Sequence, residues 1–187
     1  SKAYILFIQD DQSRFIVGHA VTDSENVDDV LIALKLLTEA HLEAGNFAGA
    51  RKAIDELFSL NPPDVLYFIE NYSIDELHFL AAEVYLYAMN YIEDTNAITE
   101  AKKHLSLVTD KGKLKAQYLV NAAWIDILEH RANEAFDKIK RVKKFVAEGR
   151  GHVIATRVLK YCVLILNNSG ETESAKRLSE FALQVAH

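Results

Sequence analysis

A chain of 187 residues, half of them hydrophobic, is long enough to bury one substantial core and short for two independent domains. Only 7 Gly and 2 Pro interrupt it, which leaves long stretches free for helix and favours an all-α fold. The formal charge of −6, the single Cys162 and the lack of any run near the roughly 18 to 20 apolar residues that span a bilayer exclude an internal disulfide and a membrane helix, so a cytoplasmic protein is expected.

The total charge conceals a division. Residues 1–100 hold 5 Lys and Arg against 18 Asp and Glu, a net of −13, and residues 101–187 hold 16 against 9, a net of +7. Such asymmetry bears on partners and self-association rather than on fold.

Residues 1–22 form an N-terminal extension. Ala3–Ile8 and Arg14–Val21 are rich in β-branched and aromatic residues, with the polar cluster Gln9 to Ser13 between them, which predicts a small β-hairpin. A short helix is the alternative. Asp10 and Asp11 end the first apolar run below signal-peptide length, so it reads as structure. An isolated hairpin is marginal in water and is expected to pack on the rest of the chain or on another chain.

From Leu31 to Pro62 apolar residues recur at helical spacing on both sides of a break at Gly45-Asn46, which predicts two helices and a tight turn. The order of Leu37, Thr38, His41, Gly45, Phe47, Ala50, Ile54, Leu57 and Pro62 resembles a tetratricopeptide repeat of about 34 residues. That resemblance implies a close approach of Thr38 to Ala50, 12 positions apart. The same separation recurs downstream at Met89 with Ala101, Ala123 with Ala135, and Val163 with Ala175. Ala101 to Ala135 is 34, Ala135 to Ala175 is 40, and Ala50 to Ala101 is 51. The first excess falls at Glu148–Gly151. The second lies between Pro62 and Leu80, where an extra short helix over Val65–Asn71 is expected. Ser73 and Glu76 form a capping box at the start of the next helix.

Residues 23–187 are thus expected to be a right-handed helical-hairpin solenoid of about four pairs: 27–43 with 47–60, 74–94 with 97–108, 114–129 with 133–147, and 152–168 with 172–186. No single pair buries its apolar face alone, so neighbours are expected to stack. A generic helical-hairpin protein is the alternative, and a second pair centred on Ala81 or Ala82 is the competing register.

Chemistry is sparse. No two of the 7 histidines have the i, i+4 spacing of a helix-borne zinc site, and Cys162 has no companion. No phosphate-binding Gly loop and no nucleophile elbow occurs. Glu39, His41 and Glu43 face different directions on a helix. An enzyme, a metal and a cofactor are therefore not expected.

What remains are binding surfaces. The resemblance implies a concave groove lined by the first helix of each pair, at Lys35, Leu36, Glu39, Leu86, Tyr87, Asn90, Val120, Asn121, Trp124, Arg157, Lys160 and Tyr161. Trp124, the only tryptophan, reads equally as a groove residue and as a core aromatic. Some members of the family clamp a partner's C-terminal carboxylates. Asn90, Asn121 and Arg157 stand at matching places, but Leu86 and Tyr161 replace two of the cations, so most of the clamp's charge is missing. The second surface is the run Lys138, Lys140, Arg141, Lys143 and Lys144, read either as a solvated face or as a patch for acidic protein or nucleic-acid phosphates. The leading expectation is a protein-interaction module or adaptor that receives a peptide or helix. A nucleic-acid-associated protein and a self-assembling unit are the alternatives.

Overall fold

Runs free of Gly and Pro become helices, and the fold follows from where they are interrupted. The structure is a computed structural model. It describes residues 4–9, 16–22, 27–60, 65–66, 72–92, 94, 96–109, 115–146, 159–160, 162–164, 166–167 and 170–186. The elements are β1 (Tyr4–Gln9), β2 (Ile16–Thr22), α1 (Val27–Glu43), α2 (Phe47–Ser59), β3 (Val65–Leu66), β4 (Tyr72–Ser73), α3 (Ile74–Ile92), α4 (Ala97–Leu107), α5 (Lys115–Leu128), α6 (Ala132–Val146) and α7 (Thr172–Ala186). Residues 159–160, 162–164 and 166–167 are also helical. Helices make up most of the described residues and hold nearly all of the side chains described as buried, so the fold class is all-α.

The chain divides into two compact units, residues 1–104 and 105–187. In the first, β1 pairs antiparallel with β2, from Tyr4 opposite Thr22 to Gln9 opposite Ile16, with an irregularity at Ile8/Gln9. This pair lies against α1, which covers the strands that two alone could not keep ordered in water. Helix α1 packs on α2, and α2 on α3. The core gathers Leu31, Leu34 and Thr38 of α1, Ala50, Ile54 and Leu57 of α2, and an unbroken buried stretch of α3 from Ala81 to Ala88. Val65–Leu66 is extended and pairs with Tyr72–Ser73. The expected short helix does not begin there, because a β-branched residue shortly after two prolines takes a ladder partner instead; residues 67–71 lie outside the described residues. In the second unit α5 packs on α6 and α6 on α7, around Val120, Ala123, Trp124, Ile139, Val142, Leu159, Cys162 and Leu166.

One turn recurs. At the end of α1, Gly45 takes φ +72°; its N–H donates to the Leu42 carbonyl at 3.1 Å, and Asn46 N–H donates to the His41 carbonyl at 2.8 Å. After α5, His130 takes φ +60°, donates to Ile127 at 3.0 Å, and Arg131 donates to Asp126 at 2.7 Å. Before α7, Gly170 takes φ +81°, donates to Asn167 at 3.3 Å, and Glu171 donates to Leu166 at 3.0 Å. Each is a left-handed C-terminal cap with paired bonds that satisfy the last carbonyls of a helix. In each case the residue after the cap opens the next helix, and its carbonyl accepts the N–H of an alanine four positions on: Ala50 at 3.0 Å, Ala135 at 3.1 Å and Ala175 at 2.9 Å. These alanines are buried, as is Ala101, in agreement with expectation. The α3–α4 connection differs. There Asp94 accepts Asn96 N–H on its side chain at 3.0 Å and Ala97 N–H on its carbonyl at 3.1 Å.

Candidate functional site

The expected groove positions fall into two groups. Asn90 on α3 and Lys160 are exposed, and Glu39 on α1 is partly exposed. Lys35 is only 6% exposed, with its Nζ 2.9 Å from the Glu39 carboxylate one turn along. Tyr87 (1% exposed), Asn121 (1%) and Trp124 (0%) are interior, as are Leu86 and Val120. Tyr87 and Asn121 are thus interior and not open groove positions, and for Trp124 the core-aromatic reading of its two is the one that fits its burial. The physical reason is that α3 and α5 are apolar nearly all round, and such helices are enclosed rather than half-exposed. Tyr87 stacks on Phe47 at 4.9 Å with the rings 4° from parallel, and Phe47 also stacks on the exposed Tyr91 at 4.5 Å. Arg157 and Tyr161 lie outside the described residues.

The basic run is likewise divided. Lys138 turns inward to the buried Asp126 carboxylate, which also accepts from Arg131 Nη2 at 2.6 Å and Nε at 3.2 Å. Asp126 thus fastens the α5–α6 turn, and Lys138 is absorbed by that structural role. Lys140 and Arg141 are exposed. Lys140 Nζ lies 4.6 Å from the Phe136 ring centre, and the Arg177 guanidinium carbon of α7 lies 4.7 Å from the same ring. Lys140 is also 3.7 Å from Asp137. The side chains of Lys143 and Lys144 lie outside the described residues.

A third constellation, in the first unit, escapes sequence reasoning because its members are far apart in the chain. His78 Nδ1 of α3 and His104 Nδ1 of α4 are 2.8 Å apart, one ring donating and the other accepting. Phe58 of α2 packs against both, at 5.1 Å and 4.6 Å between ring centres. Tyr85 stacks on His104 at 5.4 Å and donates its hydroxyl to Asp55 at 2.7 Å. Arg51 lies 4.1 Å above the Tyr85 ring, 3.3 Å from Asp55 and 3.5 Å from Asp94. Burial is the main cause that lowers His78 below the ordinary imidazole value, with Asp75 opposing and Lys103 assisting. Burial, then His78 and Lys103, push His104 down to about 4. Burial and the bond to Asp55 push the Tyr85 hydroxyl well up, so it stays protonated.

The chemistry available here is limited. Burial pushes the Cys162 thiol up to about 12, which leaves it a poor nucleophile. Among the described residues no three His, Cys, Asp or Glu side chains converge as metal ligands, and no helix is long and apolar enough to cross a membrane. Comparison with protein-family models, with curated proteins and with solved structures finds no match for this chain.

Proposed function

We propose that the chain is a non-catalytic protein-interaction module of the tetratricopeptide-like kind, a solenoid of helix pairs that receives a peptide or helix of a partner protein. The observation that supports the reading is the recurrent turn: three left-handed caps, at Gly45, His130 and Gly170, each followed by a buried alanine at the same distance. A repeated helix-turn-helix unit buries one face on its neighbours and presents the other to partners. The N-terminal strand pair, in this reading, covers the first helix. Of the positions that the resemblance assigns to partner contact, Glu39 and Asn90 in the first unit and Lys160 in the second are accessible, with Arg157 and Tyr161 as further candidates from the resemblance.

Affinity capture from native extract, followed by titration of the identified partner, tests this. Variants Asn90→Ala with Lys160→Glu should weaken binding about tenfold or more, and Lys140→Glu with Arg141→Glu should leave it nearly unchanged. A second reading draws on the cations gathered at Phe136 and on the net of +7 in residues 101–187: a surface for acidic protein or nucleic acid. It predicts the opposite order of effects and affinity that collapses as salt rises. Head-to-tail self-association predicts a mass that grows with concentration at low salt only.

A further inference from the structure

We propose that His78 and His104 form a proton-operated latch in the first unit, which holds α4 against α2 and α3 while both rings are neutral and releases α4 on mild acidification.

The geometry sets up the device. Two imidazoles from different helices meet through Nδ1 atoms 2.8 Å apart, an arrangement that needs one N–H and one bare nitrogen. Phe58 of α2 covers both rings, so the contact joins three helices at one place. Leu or Phe at positions 78 and 104 would give similar packing with no response to pH. Paired histidines make the same joint titratable in the range where imidazole changes charge.

The charged groups around the pair come from all three helices. On α2 stand Arg51 and Asp55, the latter engaged by Tyr85. Asp75 on α3 favours a charged His78, and Glu100 on α4 favours a charged His104, whereas Lys103 opposes charge on both and Arg51 opposes it on His104. Carboxylates and cations act in opposite directions, and burial is the largest influence on each ring and favours the neutral forms. A first proton brings a charge into a site walled by Phe58 and Tyr85. A second would point two N–H groups at each other. The two steps belong to the pair rather than to either ring.

The sign follows. Both rings hold protons less tightly in the folded chain than in the unfolded one, so the unfolded state takes up more protons as pH falls. The stability from the neutral pair is present above the ordinary value of 6.5 and is lost progressively toward about 4. The loss centres on α4, because the contact joins His104 of α4 to His78 of α3 and Phe58 of α2.

Hydrogen exchange of the whole chain at about pH 7 and about pH 5, corrected for intrinsic exchange, reads this directly. Peptides from α4 should lose protection about tenfold or more beyond any loss in α5 and α6. Imidazole nuclear magnetic resonance on the same protein should show His78 and His104 titrating as a coupled pair below 6.5. The double variant His78→Phe with His104→Phe should remove the α4-specific loss, and whatever pH dependence persists belongs to the other five histidines. Should that variant not fold, the two measurements on the natural chain still decide. Equal loss in α4 and α5, or two independent titrations near 6.5, would overturn the latch.

Discussion

Trp124 shows how one residue's place changes its meaning. Its lining of Val120, Ala123 and Ile127 neighbours along α5 is buried with it, so it acts as a core anchor and not as a contact for a partner. Replacement by Ala should cost about 3 to 5 kcal/mol, read from urea unfolding with an unchanged slope, through lost burial and a cavity. A loss of partner binding at unchanged stability would put the side chain back on the surface. Asn46 is a second informative residue. Its side chain accepts Gly49 N–H at 3.0 Å and meets His41 Nδ1 at 3.1 Å, so it caps α2 and ties it to α1. Gly49 leaves room for this: a Cβ there would sit 2.6 Å from Asn46 Nδ2. Asn46→Ala should therefore lower stability by about 1 kcal/mol by thermal unfolding, and Asn46→Asp should retain much of it. The turn was legible in the Gly-Asn pair, though not the capping role of Asn46. For Trp124 the sequence left core and groove equally open, since a helix apolar nearly all round has no clear stripe to tell which face is buried.

Among elements, the turns carry most of the information. Gly45 and Gly170 occupy left-handed positions that glycine takes without penalty, and sequence alone places helix ends beside them. His130 occupies the same conformation with a side chain, and the α5–α6 break is correspondingly faint in the sequence. His130→Gly should stabilise the second unit by up to about 1 kcal/mol in chemical unfolding, because the exposed imidazole gives up little while the backbone strain is relieved. Destabilisation on that change would mean that the ring makes a contact worth more than the strain. The helices 27–43, 47–59 and 172–186 lie close to where periodicity sets them. The His78–His104 contact was beyond such reading, since residues 26 apart on separate helices leave no local spacing to detect. The same holds for Lys138, whose basic neighbours disguise a side chain committed to Asp126.

At the scale of the molecule, charge and packing give separate kinds of information. The opposed charges of residues 1–100 and 101–187 bear on what approaches the protein, whereas the repeated turn and its alanine bear on how the helices were assembled. The recurrence was legible because a small residue stands at a fixed distance after each of these turns, and Ala50, Ala135 and Ala175 are all buried there. The second pair obeys it less clearly: Ala101 is buried, but the described part of its turn is built on Asp94. Repetition of one packing unit is the central claim, and thermal unfolding of Ala50→Leu, Ala135→Leu and Ala175→Leu beside the exposed control Lys140→Ala tests it most directly. Each leucine should overpack its helix pair by about 1 to 3 kcal/mol and lower the melting temperature by about 2 to 12 °C, with the control within about 1 °C. Leucine variants that melt with the control would contradict the claim that these three alanines mark the same close contact in the first, third and fourth helix pairs.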